Sequence, residues 1–454
     1  MNAESIGLLV RNRQMTPFQG VAVGICIFIN MLDGFDVLAL AFTAPAIARE
    51  WGLDPAALGA LFSAGLAGMA IGSVVLSPLA DRYGRRASVL FCLLLMTVGM
   101  LLSAFAQSTT HLFVLRLLTG LGIGGVLPSI NTIVAEYASI KRRDFCIGLM
   151  TMGYAVGATL GGLIAVVLLS NFGWPSVFLL GGALSAATAL LVVTVMPESV
   201  DFLLARRPPK ALERVNGVLT RLALPPLAEL PPVTAGSRPR SEYKAIFAPN
   251  LRVTTVLVCA SFFLAMTTFY FLLNWTPKIL VDLGLSVQGG ISGSVVMNLA
   301  GVVGGLLLGW NTNRFGLGRL TAIYMALCFV SVVVFGYIPV SMAALLSVAV
   351  AIGFFMNGVI VGLYALVPTV YPPAVRATGA GLALGCGRLG ATVGPFVAGI
   401  LIAQGWSRAA YFIAMAVPML IAAGVVLRIS GARGSSQEAT GVTPASGIEH
   451  RSAG

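Results

Sequence analysis

Two aspartates three residues apart, Asp33 and Asp36, interrupt an otherwise apolar run from 20 to 46. On a helix such residues lie about 60 degrees from each other on one face. A carboxylate held charged at the centre of a membrane helix costs roughly 2.5 to 3.5 kcal/mol on insertion scales, so it persists where it has a partner or a function. Two neighbouring carboxylates in low dielectric are suited to taking a proton on one side of a barrier and releasing it on the other. A static ion pair to an arginine is the plainer alternative, but pairing accounts for one aspartate better than for two. Gly34 between them suggests a loosened helical turn.

Arginines also fall inside apolar runs. The guanidinium of Arg388 offers a fork that matches a carboxylate bidentately and can stack on an aromatic ring, so it is a candidate for an anionic substrate. A salt bridge to an aspartate is equally open, and both hold if the two anions compete for Arg388. Tyr154, Tyr270, Asn274 and Asn298, with Asn131, Trp275, Asn357 and Tyr364, are polar or aromatic positions able to line a cavity. Each taken singly serves as well for interhelical hydrogen bonding or packing. His111 and His450 lie outside the apolar runs, which leaves proton handling to carboxylates.

These residues need elements to hold them. Of 454 residues only 10% are charged and 57% are hydrophobic, where a soluble chain carries about 25% charge. The mean hydropathy of +0.94 excludes an ordinary soluble enzyme, a disordered chain and a nucleic-acid binder. Runs of about 20 apolar residues, enough to cross about 30 Å of hydrocarbon, recur twelve times between residues 20 and 428. They stay apolar throughout rather than alternating, which excludes the strands of a membrane barrel. The expectation is an all-α polytopic membrane protein with twelve transmembrane helices.

The net charge of +12 has its own explanation. With the N-terminus taken as cytoplasmic, 23 of the 28 basic residues fall in cytoplasmic loops, so the bias places both termini inside and calls for no nucleic acid. The proline-rich stretch 197–251 then reads as a cytoplasmic linker whose role is to connect a bundle at 20–196 to a bundle at 252–428. Residues 1–19 form a cytoplasmic N-terminal segment and 429–454 a disordered tail. The six cysteines show no paired or metal-ligand spacing and read as core residues; no metal or cofactor site is expected. The excess of arginine over lysine hints at a GC-rich bacterium, and so at its plasma (inner) membrane.

The halves echo each other. Asp81-Arg82-Tyr83-Gly84 matches Asn313-Arg314-Phe315-Gly316 and Gly173-Trp174 matches Gly405-Trp406, both at an offset of 232. Gly157 to Gly161 matches Gly390 to Gly394, and Tyr137 with Arg142 matches Tyr371 with Arg376. A near-constant offset across an even number of helices means two parallel six-helix repeats, an arrangement that places a substrate site near the midplane between rocking halves.

On these motifs the chain resembles the major facilitator superfamily: Asp81-Arg82-Tyr83-Gly84-Arg85-Arg86 is similar to its signature loop, Arg116 with Gly120, Gly122 and Gly124 to its fourth-helix motif, and Pro197-Glu198-Ser199 to its sixth-helix end. Asp33-Gly34-Phe35-Asp36, Glu136-Tyr137, Tyr371-Pro372, Arg376 to Gly379 and Gly387 to Gly390 resemble the aromatic acid:proton symporters within it. Ser77 stands where the loop usually opens with glycine, Asn313 replaces an acidic residue in the second copy, and Ile360 sits where a glutamine is usual. The resemblance implies uptake of benzoate-like and hydroxylated aromatic acids with protons by a monomer in the bilayer. It assigns proton coupling to Asp33, Asp36, Arg116 and Glu136, and substrate contact to Arg388, Asp36, Tyr154, Tyr270, Asn274 and Asn298. Gating falls to Asp81, Arg82, Gly84, Arg85, Arg86, Arg314 and Arg376. A proton-driven exporter on the same fold is the alternative. A receptor would need a larger soluble domain, and an enzyme a nucleophile, base and orienter that the sequence does not offer.

Overall fold

The computed structural model describes residues 12–231, 243–249, 251–372 and 375–439. Among these, twelve helices are long and apolar enough to cross a membrane. In the N-terminal half they are α1 (Pro17–Trp51), α2 (Pro55–Val75) continued by the short α3 (Ser77–Tyr83), α4 (Arg85–Ser103), α5 (Thr109–Tyr137), α6 (Arg143–Phe172) and α7 (Pro175–Thr194). Three short helices follow, α8 (Val200–Arg206), α9 (Ala211–Arg221) and α10 (Tyr243–Ile246). The C-terminal half contains α11 (Arg252–Asp282), α12 (Val287–Phe315), α13 (Leu317–Tyr337), α14 (Met342–Val370), α15 (Arg376–Ala403) and α16 (Arg408–Ala439). The last helix thus runs beyond residue 428, and residues 440–454 of the expected tail lie outside the described residues.

Local chemistry sets the ends. Thr16 caps α1 in a reciprocal box with Gln19 and Pro17 occupies the first turn; Asp54 caps α2 ahead of Pro55. The repeat is written in the backbone as well. Gly84 and Gly316, at φ of 108° and 78°, begin α4 and α13, a left-handed region that glycine enters without a Cβ penalty.

The segment between the halves does more than connect. Phe202, Leu203 and Leu204 of α8 and Val215, Val218 and Leu219 of α9 are buried in one cluster with Val89, Cys92 and Ile133 of the N-terminal half. The end of the molecule carrying them is called the linker end below.

Helices approach closely wherever glycine removes a side chain. A Cβ at Gly34 would lie 2.1 Å from the Tyr154 carbonyl, and one at Gly157 would lie 1.9 Å from that of Met31. Gly34 therefore does not loosen a turn, as its sequence context suggested: α1 is continuous through it, and the missing side chain lets α6 lie against α1. The halves join mainly through α2 with α15, α6 with α12 and α1 with α11. These contacts cluster away from the linker end: Gly59 abuts Gly399, Ser63 donates to the Thr392 carbonyl at 2.7 Å, and Phe62 meets Trp275 edge-on at 5.4 Å. Toward the linker end Tyr364 is 48% exposed even though its ring packs on Phe262.

Gly157→Leu should reduce the yield of monodisperse detergent-extracted protein and lower its melting temperature. Gly148→Leu, at a position with open space around it, should match the native chain in a fluorescence-detected size-exclusion thermal assay.

Candidate functional site

The midplane of α1 presents its two aspartates in different directions. Asp33 and Asp36 are 1% and 2% exposed. Neither oxygen of Asp36 has a hydrogen-bond partner, nor does Oδ1 of Asp33. The electrostatic neighbours divide between the halves. Asp33 faces Arg388 of α15, whereas Asp36 faces Arg116 of α5. The rotation of about 60 degrees between the two positions, one sixth of a turn, is enough to give each its own arginine.

Around Arg388 stand Tyr154 of α6, Tyr270 of α11 and Tyr364 of α14, all within its electrostatic reach together with Asp33. One guanidinium nitrogen lies 3.7 Å from the Met69 sulfur, across the interface between halves. The Tyr154 hydroxyl is buried without a partner. A cation, three phenols and a carboxylate drawn from both halves form a site able to hold the carboxylate and ring of one small molecule.

The second cluster is closed in by the N-terminal half. Arg116 Nη2 donates to the hydroxyls of Ser103 at 3.0 Å and Thr119 at 3.1 Å and touches the Met100 sulfur, while the guanidinium sits 4.8 Å from the Phe178 ring centre. Gly181 makes room for Asp36: a Cβ there would lie 3.0 Å from Oδ1. A small pocket joins Asp36 and Arg116 to Thr119, Met69 and Asn274. Asn274 is buried and donates to the Tyr270 carbonyl at 2.9 Å, while Asn298 donates to the Ser294 carbonyl at 3.0 Å, so both amides are partly spent within their own helices.

Glu136 lies apart from both aspartates, at the linker end, 3.7 Å from Arg85. There Glu198 accepts hydrogen bonds from the backbone N–H groups of Arg85 at 2.8 Å and Arg86 at 3.1 Å, capping α4 with a negative charge. A side chain at Gly84 would meet that carboxylate at 2.2 Å, which gives the glycine a second reason to be there. Tyr137 donates its hydroxyl to the Glu198 carbonyl at 2.8 Å, and the Gln19 amide donates to the Tyr137 carbonyl at 2.8 Å. Arg86 reaches the Val193 carbonyl. Arg82 is exposed over Tyr83, Arg314 is exposed over Phe315, and Arg376 is exposed at the start of α15. The side chain of Asp81 lies outside the described residues.

Glu198, Ser103, Phe178 and Met69 carry roles that the sequence did not assign. Thr119, three residues after Arg116 on one helix, was within reach of the i, i+3 rule; the others are brought in from distant helices.

Comparison with known proteins agrees with this architecture. The sequence profile of the Major Facilitator Superfamily matches residues 25–391 and 299–449. The chain belongs to this superfamily. It is a membrane transporter rather than an enzyme, a multi-pass protein of the bacterial inner membrane. It is 33% identical to a gallate transporter of Pseudomonas putida over 93% of this chain and 94% of that one. It is 30% identical to the 4-hydroxybenzoate transporter PcaK of Pseudomonas aeruginosa over 92% and 94%. Among solved structures, the xylose transporter XylE of E. coli superposes with a TM-score of 0.72 at 16% identity, over 91% of this chain and 98% of that one, a likeness of fold.

Replacing Glu198 by Ala should lower stability by about 1 kcal/mol through loss of the α4 cap, and Glu198→Gln, which keeps an acceptor, should recover most of it; thermal unfolding in detergent reads both.

Proposed function

We propose that this transporter imports small aromatic carboxylates, of the benzoate, hydroxybenzoate or protocatechuate kind, together with protons. The observation that carries the reading is the cluster of Arg388, Tyr154, Tyr270 and Tyr364 around Asp33, drawn from both halves. Relatives that span nearly the whole chain and are named for gallate and 4-hydroxybenzoate support it.

In this reading Arg388 receives the substrate carboxylate in a bidentate pair, the tyrosines stack on the ring or bond its hydroxyls, and Asn274 and Asn298 complete the wall. Substrate and Asp33 compete for Arg388. A substrate anion displaces Asp33, which is then buried without a cation, and protonation removes the cost of that charge. Asp36 with Arg116 holds the second proton site, whose charge state is felt by α5 and α7 next to it. One anion with one proton moves no net charge, and a second proton adds about 2.3 kcal/mol per 100 mV of membrane potential.

Gating belongs to the linker end. Glu136 with Arg85, and Arg82, Arg86, Arg314, Arg376 and Asp81 around them, close that mouth when the halves rock together, with Gly84 setting the turn. In this reading the linker end and both termini are cytoplasmic, which the inward bias of the basic residues in the sequence supports. The protein acts as a monomer, the twelve helices at 20–196 and 252–428 forming the transport unit in the lipid bilayer.

Cells expressing the protein should accumulate radiolabelled benzoate, 4-hydroxybenzoate, protocatechuate or vanillate faster at acid external pH, and a protonophore should abolish the accumulation. Loss of preloaded compound instead of accumulation would indicate export. Asp33→Asn and Asp36→Asn should each abolish accumulation while exchange of labelled for unlabelled substrate continues; full gradient-driven uptake in either would remove that residue from coupling. Arg388→Lys should weaken apparent affinity about tenfold, since the charge stays and the fork is lost.

A further inference from the structure

In the C-terminal half α11 and α15 run parallel with a fixed register. A Cβ at Gly390 would lie 2.1 Å from the Phe263 carbonyl, and one at Gly394 would lie 2.2 Å from that of Thr267. Both pairs are 127 residues apart in sequence, and one turn nearer the linker end the same separation sets Cys386 opposite Cys259. The two thiols are electrostatic neighbours, both free and both half-buried. Over them lies Tyr371, 2% exposed, its ring held against α15 where Gly379 leaves space. The polar neighbours of its hydroxyl are Thr255, Cys259 and Cys386. Thr255 donates to the Ile246 carbonyl at 2.7 Å, and the phenol is buried between that hydroxyl and the two thiols.

Two facing sulfurs on rigid, closely packed helices are a chelate with little reorganisation left to make. Zinc would need four ligands, and among the described residues no third cysteine, histidine or carboxylate joins the pair. Thiolates favour soft cations, and an apolar setting favours a complex without net charge. A divalent ion in linear coordination between two thiolates satisfies both conditions.

We propose that Cys259 and Cys386 form a two-thiol site for a soft divalent cation of the mercury(II) type. Binding replaces two S–H bonds by two metal–sulfur bonds and releases two protons, with no change of oxidation state. Tyr371 shields the third side. Occupancy clamps α15 to α11 half a turn from Arg388, without touching the residues assigned to substrate.

The test uses the purified full-length chain in detergent. It is loaded with one equivalent of mercury(II) chloride and washed with excess glutathione, which removes metal from single thiols far more readily than from a chelating pair. Retained metal is then counted by native mass spectrometry, and free thiols are mapped by maleimide labelling and peptide mass. The native chain should keep one metal ion, with Cys259 and Cys386 both protected from maleimide. Cys259→Ser and Cys386→Ser should each lower retention at least tenfold, whereas Cys146→Ser should retain metal as the native chain does. Labelling of both thiols in the loaded native chain, or undiminished retention in either single variant, would overturn the proposal. The native-chain labelling decides the matter even where a variant is unstable.

Discussion

Everything in the middle of this molecule answers to two carboxylates set in an apolar helix. Asp33 and Asp36 are buried, and Asp36 has no hydrogen-bond partner for either oxygen. A charge so placed is tolerated only where cations and dipoles from other helices reach it. The cations are Arg388 from one half and Arg116 from the other, so α1 is the element through which the two halves share an electrostatic site. In the proposed cycle this sharing links the proton to the substrate, since whatever anion occupies Arg388 alters the balance at Asp33.

Such a site needs backbone close to backbone. Gly34 and Gly157 bring α1 and α6 together, and Gly59 with Gly399 joins α2 to α15. Each of these contacts lacks room for one methyl group, which makes the packing specific without any large apolar driving force between helices in lipid. The linker end is built on a different rule. There the Glu198 carboxylate caps α4 while Arg85 meets Glu136, so charge and backbone dipoles rather than close backbone contact tie the N-terminal helices to the segment that follows them.

The twelve spans and their repeat were legible in the sequence because both follow from the length of apolar runs and from a constant offset between motifs. Arg388 and Tyr270 were legible as candidates because polar groups inside such runs are costly. Other features depend on which helices become neighbours, and a linear pattern does not carry that. Gly34 read as a loosened turn when its role is to admit the Tyr154 carbonyl. The aspartates read as one coupled pair sharing one face, and Asp33 does act on Asp36; what the spacing did not carry is that each also has its own arginine, from a different helix. Cys259 and Cys386 showed no spacing to suggest a pair, since 127 residues and three intervening helices separate them. The packed position of α8 and α9 was hidden because the prolines around them look like those of a plain connector.

The most direct test of the account is proton movement itself. Purified protein is reconstituted into liposomes holding a pH-sensitive dye, and an aromatic acid is added outside at neutral pH, where almost none of it is in the freely permeant acid form. The account predicts lumenal acidification that accompanies uptake of labelled acid, exceeds that in protein-free vesicles and disappears in Asp33→Asn. Uptake of the acid by the native protein with no more acidification than protein-free vesicles show would contradict it.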